Sequence, residues 1–249
     1  MNENSTTRFS GRAGDYARFR PGYPDALCSL LAQETGFAPH HVVADLGSGT
    51  GLSSALFLRN GNRVLGIEPN AAMRAAAEQA LGGELLFTSI NGTAEHTTLP
   101  AQSVALVFGG QAFHWFDVAA AKTECNRILQ PNGHVVLAWN QRKHDQGFEQ
   151  AYEQTLYHHI PGYETVTRQK IDRQKIAAFL APGPVREAVL SNAQQLDLPG
   201  LLGRTRSSSY CPEPGAAYDR LMQALTTLFE QYAVNGQVFL PYETFVFWR

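Results

Sequence analysis

The sequence lacks the marks of several protein classes. Only three of its 249 residues are cysteines, Cys28, Cys125 and Cys211, and they lie far apart in the chain. An odd number without a Cys-x-x-Cys pair indicates neither a disulfide framework nor a thiolate metal site. Two His-His pairs, at 40–41 and 158–159, have no carboxylate at a metal-ligand spacing, and adjacent side chains diverge. We therefore expect no bound metal.

Charge and long apolar runs are also scarce. Charged residues make up 17% of the chain and its formal net charge is −2, which excludes a strongly basic surface for nucleic acid or an anionic membrane. No stretch approaches the roughly 18 apolar residues of a spanning helix, and residues 1–7 are polar, without a signal-peptide core. We expect a cytoplasmic protein, a monomer or homodimer, whose partner is a small molecule.

Hydrophobic residues make up 44% of the sequence, which is enough for a sizeable core. Short apolar runs alternate with segments of helical periodicity between residues 41 and 139, and this alternation predicts a doubly wound α/β fold with a parallel sheet. Beyond residue 140 the alternation stops. We expect a single domain over 1–249 in three parts: residues 1–38 with the first helix, residues 39–140 with the alternating strands and helices, and residues 141–249.

The predicted elements can be assigned from periodicity and turn residues. Predicted strands lie at residues 41–46, 63–68, 84–90, 104–108, 134–139, 185–196 and 238–248. Predicted helices lie at residues 24–31, 52–58, 71–81, 118–129, 148–160, 169–180 and 218–234. A turn at residues 130–133 precedes the fifth strand, and the last two strands are expected to pair antiparallel.

A glycine-rich turn follows the first predicted strand. Residues 45–51 read Asp-Leu-Gly-Ser-Gly-Thr-Gly, and glycine allows backbone to approach a ligand where a Cβ would clash. Glu68 ends the second strand 17 residues after Gly51, where a carboxylate can bind ribose hydroxyls. A tight turn without a ligand and a surface glutamate are the alternatives. Leu52 occupies the third glycine position of a dinucleotide fingerprint, so NAD fits less well.

Four segments in order resemble the class I S-adenosylmethionine-dependent methyltransferases, over roughly residues 8–140. They are the glycine turn, Gly-Ile-Glu-Pro-Asn at 66–70, Gly-Thr-Ala-Glu-His-Thr-Thr-Leu-Pro at 92–100, and Arg-Ile-Leu-Gln-Pro-Asn-Gly at 127–133. The branch that includes ubiquinone/menaquinone biosynthesis and trans-aconitate methyltransferases looks most similar. The resemblance implies a Rossmann-like, seven-stranded, mostly parallel sheet with antiparallel last strands, an N-terminal helical lid, and a helical insertion after the fifth strand. It also implies that residues 1–38 are the lid and first helix, 39–140 the cofactor-binding core, and 141–249 the acceptor-side insertion with the last two strands.

The same resemblance implies a cofactor, S-adenosyl-L-methionine, with S-adenosyl-L-homocysteine as product, and a set of contacts. The expected cofactor-binding residues are Tyr16, Arg20, Asp45, Gly47, Ser48, Gly49, Gly51, Glu68, Pro69, Met73, Ala94, Glu95, Gly110 and Gln111. Glu68 would bind the ribose, and Arg20 or Tyr16 would reach the methionine carboxylate. Met73 as a core residue and Arg20 as a solvated side chain are the alternatives.

Aromatic residues follow the fourth strand, at the carboxyl edge where doubly wound sheets bind ligands. In the segment 109–116, aromatic rings suit a sulfonium cation, and His114 is the candidate base because imidazole titrates near neutrality. His114 and Trp115 are expected to contact substrate. Arg204 and Arg206 could clamp an acidic acceptor through bidentate contacts, or lie in a solvated loop.

The sequence therefore predicts methyl transfer to a small molecule, a carboxylic acid being one candidate acceptor. The alternatives are an NAD(P)-dependent oxidoreductase and a cofactor-binding regulatory module without activity. The second is prompted by Ala105, which stands where the family frequently has an acidic residue. Gln130 and Asn132 also depart from the family pattern, replacing a lysine and a glycine at positions that usually serve structure.

Overall fold

The computed structural model describes residues 13–164 and 171–249. Seven strands form one sheet: β1 (Val43–Leu46), β2 (Val64–Ile67), β3 (Phe87–Ile90), β4 (Val104–Gly110), β5 (Leu129–Arg142), β6 (Arg186–Leu196) and β7 (Val238–Trp248). Nine helices lie within the described residues: α1 (Ala13–Phe19), α2 (Ala26–Thr35), α3 (Leu52–Arg59), α4 (Ala71–Leu81), α5 (Val118–Ile128), α6 (Gly147–His159), α7 (Arg173–Leu180), α8 (Leu198–Arg206) and α9 (Ala216–Tyr232).

The strand order is β3-β2-β1-β4-β5-β7-β6. Strands β1 to β5 pair in parallel, whereas β7 runs antiparallel to both β5 and β6. The predicted mostly parallel sheet with antiparallel last strands is confirmed. Because the order reverses between β1 and β4, a crevice opens at the carboxyl ends of these two strands. No helix in the described part of the chain is long and apolar enough to cross a membrane.

Local sequence explains where the core helices begin and end. Gly36 ends α2 in a left-handed conformation (φ 72°), which glycine adopts without strain. Asn70 caps α4 by accepting hydrogen bonds from the backbone N–H groups of Ala72 and Met73, and Asp117 caps α5 in the same way. Strands β1, β2 and β4 are almost wholly buried, because helices cover both faces of this part of the sheet. The apolar runs in the sequence therefore correspond to the central strands.

A buried carboxylate fixes the loop between β3 and β4. Glu124 of α5 accepts hydrogen bonds from Arg127 Nε (2.7 Å) and from the backbone N–H of Thr97 (2.8 Å), while Arg127 Nη2 donates to the carbonyl of Leu99. The hydrogen bonds from Arg127, and after them those from Thr97, lower the pKa of Glu124 to about 2 although burial opposes this. The loop that carries Ala94 is thereby held against the sheet.

The turn predicted at residues 130–133 is present, but it lies inside a longer strand. Leu129 pairs with Val104 and His134 pairs with Leu106, so the four residues between them form a bulge. Asn132 adopts a positive φ of 66° there. A strand predicted to begin at residue 134 therefore begins five residues earlier.

The strand predicted at residues 185–196 is present as β6, and it divides the insertion into two parts. Helices α6 and α7 lie between β5 and β6, whereas α8 and α9 lie between β6 and β7. The predicted start of α7 at residues 169–170 lies outside the described residues. The sequence predicted that Arg204 and Arg206 form a clamp or lie in a solvated loop, whereas residues 203–206 form the last turn of α8. Asp197 is the N-cap of this helix.

Helix α1 rests on α8 across the top of the sheet. A Cβ at Gly203 would lie 2.4 Å from the ring of Phe19, so only glycine allows the ring this close. Arg206 Nε donates to Asp15 at 3.2 Å, and Gln194 donates to the carbonyl of Phe19. The N-terminal lid is therefore held by residues from the far end of the chain.

Candidate functional site

A cavity of about 330 Å³ lies at the carboxyl ends of the central strands, beneath α1. Four groups of side chains meet in it: the glycine turn after β1, the end of β2, the segment after β4, and the lid with the end of β5. Its lining includes Tyr16, Arg20, Tyr23, Gly47, Ser48, Gly49, Thr50, Glu68, Pro69, Met73, Ala94, Gly110, Gln111, His114, Trp115, Phe116, Asn140, Arg142, Arg204 and Tyr242. Residues more than 200 positions apart in sequence thus share one cavity.

The glycine turn presents bare backbone to this cavity. Gly47 and Gly49 have positive φ values of 65° and 55°, which side chains rarely adopt. A Cβ at Gly47 would lie 2.6 Å from Cβ of Ala112, while a Cβ at Gly49 would meet nothing closer than a carbonyl oxygen at 4.0 Å. Gly47 is required by packing, and Gly49 leaves space on the cavity side.

Glu68 connects the end of β2 to the glycine turn. Its Oε2 accepts a hydrogen bond from the backbone N–H of Gly49 (3.0 Å), and its Oε1 accepts one from Asn70 N–H (2.9 Å). Burial raises the pKa of Glu68, although these two hydrogen bonds oppose the rise. Each carboxylate oxygen retains a lone pair, so the group can also accept hydrogen bonds from a ligand.

Two motif residues stay outside the cavity lining. Asp45 is fully buried and accepts hydrogen bonds from the hydroxyls of Ser53 (2.7 Å) and Ser54 (2.6 Å). Burial raises the pKa of Asp45 to about 6. Gly51 begins α3, and a Cβ there would lie 2.6 Å from Leu81. Both residues support the turn from behind, and the structure does not bring either into the cavity.

The predicted adenine side is only partly assembled. Pro69, Met73 and Ala94 line the cavity, and Met73 is 6% exposed. Glu95 is absent from the lining among the described residues; its carboxylate accepts a hydrogen bond from the backbone N–H of Asp117 (2.9 Å). The apolar residues of this predicted subsite therefore line the cavity. The carboxylate of Glu95 instead binds the backbone of Asp117, the N-cap residue of α5.

The segment after β4 forms the opposite wall. His114 and Trp115 lie in a short 3-10 turn with ring centroids 4.7 Å apart, and both line the cavity with Phe116. Phe113, in the same turn, packs in the core instead. Gln111 has a positive φ of 56° and donates from Nε2 to the carbonyl of Asn140. The predicted aromatic wall is thus present, with one of its rings turned inward.

The lid end of the cavity is rich in arginine. Arg20 and Arg204 line it as the sequence predicted, and Arg142, at the end of β5, joins them. Arg20 and Arg204 lie close together, because both donate hydrogen bonds to the hydroxyl of Ser208, at 3.2 and 3.0 Å. Burial, and after it the charge of Arg204, lower the pKa of Arg20. Arg206 is not brought into the cavity: it pairs with Asp15 and holds the lid. Only the first arginine of the predicted clamp faces the site.

Sequence reasoning missed Tyr23, Asn140, Arg142 and Tyr242. Asn140 and Arg142 carried a usable signal, since they end the fifth strand at the same sheet edge as residues 109–116. Tyr23 gave none: its hydroxyl reaches the cavity by packing against Gly110, where a Cβ would lie 2.4 Å away. That contact joins residues 87 positions apart and cannot be read from local sequence.

Several buried polar atoms in the lining have no hydrogen-bond partner among the described residues. They are Arg20 Nε, Tyr23 Oη, Thr50 Oγ1 and Arg142 Nε. A buried donor without a partner costs about 1–3 kcal/mol. A ligand with polar groups along its length would satisfy these atoms, so the lining fits a polar nucleoside-type molecule with an acidic end.

The parallel sheet, glycine turn and ribose-type carboxylate together define the class of nucleotide-binding doubly wound α/β proteins. Comparison with known proteins is more specific. The family model for a methyltransferase domain matches residues 44–137. An uncharacterized methyltransferase of Mycobacterium tuberculosis is 35% identical over 134 residues, covering 54% of this chain and 52% of the relative. A malonyl-[acyl-carrier protein] O-methyltransferase of Yersinia pestis is 35% identical over 114 residues, covering 45% and 40%.

Solved structures agree on the fold. A structure from Anaeromyxobacter dehalogenans described as a type II methyltransferase has a TM-score of 0.68 at 23% identity, covering 92% of this chain and 97% of that one. One from Anabaena variabilis, from an antibiotic biosynthesis pathway, has a TM-score of 0.63 at 18% identity, covering 92% and 98%. Residues 44–137 therefore match a methyltransferase domain in sequence, and the solved structures agree with its fold. The chain spans about half the length of the curated relatives it matches.

Proposed function

We propose that this protein transfers a methyl group from S-adenosylmethionine to a small-molecule acceptor bound in the cavity. The observation that carries the proposal is the joint lining of one cavity by the glycine turn, Glu68 and the aromatic segment after β4. The cavity volume of about 330 Å³ lies within the range of small-ligand sites. The methyltransferase-domain match at residues 44–137 contains all three of these features.

The cofactor would lie along the carboxyl ends of β1 and β2. Glu68 would accept hydrogen bonds from both ribose hydroxyls, and the backbone of residues 47–49 would contact the amino acid portion. Met73 and Ala94 would enclose the adenine, and Arg20 would pair with the methionine carboxylate, assisted by Tyr16. The bound cofactor supplies a methyl group already activated by its sulfonium charge.

The residues facing that methyl group would act mainly by alignment and by excluding water, because in-line transfer needs no obligatory base. Trp115 and Phe116 offer aromatic faces that attract a sulfonium. His114 lines the same wall, so it can accept a proton from a hydroxyl or an acidic carbon if the acceptor carries one. A carboxylate acceptor would arrive deprotonated and would use His114 only for contact.

A carboxylic acid is the acceptor class that the charges favour. Arg204 is 4% exposed and lines the cavity, where a buried guanidinium calls for an anion. The Yersinia pestis relative is named for O-methylation of a malonyl group, which is an acid, and this supports the same class here. Ala105, the departure that suggested loss of activity, is not among the residues lining the cavity.

Calorimetric titration with S-adenosylhomocysteine, beside NAD and NADP, tests the proposal. We expect micromolar affinity for S-adenosylhomocysteine alone, followed by methylation of at least one member of a panel of small carboxylic acids. Preferential binding of NAD or NADP would replace the proposal with an oxidoreductase. Cofactor binding without turnover across the panel would favour a regulatory module.

A further inference from the structure

Three guanidinium groups from different parts of the fold line the lid end of the cavity. Arg20 follows α1, Arg142 ends β5 and Arg204 lies in α8. Arg142 is paired with Glu153, whereas Arg204 donates hydrogen bonds to the neutral hydroxyls of Tyr242 (3.1 Å) and Ser208 (3.0 Å). Arg20 likewise donates to neutral oxygens, of residues 207 and 208.

Within residues 13–164 and 171–249, one carboxylate, that of Glu153, pairs with these three positive groups, so their charge is only partly balanced there. Burial by itself would raise the pKa of Tyr210, but the charges of Arg142, Arg204 and Arg20 lower it to about 7. Glu68, which lines the cavity, lies at the end of β2 and accepts the backbone N–H of Gly49. A sulfonium cofactor would add further positive charge, so an acceptor that brings negative charge is required.

Arg142 has a donor available for that acceptor. One of its terminal nitrogens, Nη2, is used by Glu153 and by the hydroxyl of Tyr163. Its Nε is buried and has no partner among the described residues. The guanidinium lies over the ring of Tyr152, 4.8 Å from the centroid, and its side chain is 11% exposed. The group is therefore held by Glu153, Tyr163 and the ring of Tyr152, and it lines the cavity with a donor that these residues do not use.

We propose that Arg142 and Arg204 bind an oxyanion group of the methyl acceptor, and that Glu153 weakens this site by occupying part of Arg142. Arg20 remains for the cofactor carboxylate. The inference rests on the proposed function, because it assigns the substrate class of the same cavity. The oxyanion is a carboxylate or a phosphate ester, since both match the planar fork of arginine.

The test measures anion affinity in the full chain saturated with S-adenosylhomocysteine, and again without it. Succinate and inorganic phosphate are titrated by calorimetry at constant ionic strength, with neutral succinamide as the ligand control. The variants are Glu153→Gln, which keeps Arg142, and the double change Arg142→Gln with Glu153→Gln, which removes both members of this ion pair together. Arg186→Gln with Glu34→Gln is the matched control, because it removes an exposed ion pair elsewhere.

We expect Glu153→Gln to tighten anion binding several-fold and the Arg142/Glu153 double variant to weaken it about tenfold or more, as for a lost hydrogen bond between charged groups. The control pair should bind as the unaltered chain does. Binding of succinate alone identifies a carboxylate, and binding of phosphate alone a phosphate ester.

Anion affinity no greater than that for succinamide, or equal affinity in both variants and the unaltered chain, would overturn the proposal. A chain that binds the anions but not S-adenosylhomocysteine would instead refute the proposed function. Thermal unfolding of each variant, followed by its affinity for S-adenosylhomocysteine, shows that a loss of anion binding is not a loss of fold. The two failures are therefore separable.

Discussion

Replacing Glu68 by glutamine tests the ribose contact most directly. The carboxylate already accepts backbone N–H groups of Gly49 and Asn70 at 3.0 and 2.9 Å, so the ribose hydroxyls would share these oxygens. Charge-assisted hydrogen bonds contribute about 1.5–3 kcal/mol. We expect Glu68→Gln to weaken binding of S-adenosylhomocysteine by about ten- to 150-fold, because about 1.4 kcal/mol equals a factor of ten.

The same substitution also disturbs the glycine turn, so affinity alone is not decisive. The glutamine NH₂ would face one of the two backbone N–H groups and leave it without an acceptor, at a cost of about 1–3 kcal/mol in stability. A chemical double-mutant cycle separates the two effects. S-adenosylhomocysteine and its 2′,3′-dideoxyribose analogue are titrated against the unaltered chain and against Glu68→Gln.

If Glu68 binds the ribose, removing the hydroxyls costs affinity in the unaltered chain and costs much less in the variant. The coupling free energy should be about 1–2 kcal/mol, since one shared contact is removed from either side. Additive losses would refute the reasoning: the carboxylate would then act only by holding the glycine turn. Urea unfolding of both proteins without ligand supplies the stability term.

Three further outcomes are expected. Gly49→Ala and Gly36→Ala should each cost about 1–2 kcal/mol of stability in urea unfolding, because both positions have a left-handed backbone and open space around it. Only Gly49→Ala should also weaken S-adenosylhomocysteine binding, and equal affinities of the two variants would contradict the assignment of Gly49 to the cavity. The pKa of Glu124, lowered to about 2, contributes stability that is present above pH 4.5 and is lost as the pH falls towards 2. Glu124→Gln should therefore reduce the acid-induced loss of unfolding free energy by up to about 3 kcal/mol. Parallel curves of unfolding free energy against pH for the two proteins would contradict this. Gly203→Ala should displace Phe19 and with it the lid, lowering calorimetric affinity for S-adenosylhomocysteine by about tenfold, and unchanged affinity would show that the lid takes no part.

The sequence was informative wherever structure depends on near neighbours. The strands before and after the glycine turn, the cap at Asn70 and the end of α2 at Gly36 follow from patterns within a few residues. The bulge inside β5 was harder to predict, because the residue types at 130–133 suit a turn as well as an irregular strand. Helix α8 was missed because Pro199, Gly200 and Gly203 disfavour a helix in isolation, and packing against α1 outweighs that preference.

The sequence by itself determined the class of fold and the wall that would hold the cofactor, since the turn at residues 45–51 and Glu68 belong to one local strand-helix-strand unit. Only the tertiary structure decided which arginines face the cavity. Arg204 and Arg206 are two positions apart on α8, yet one lines the site and the other pairs with Asp15. Arg142 joins Arg204 across 62 positions of sequence. Such convergence depends on how distant elements pack, because side-chain direction is set by the whole fold and not by local propensity.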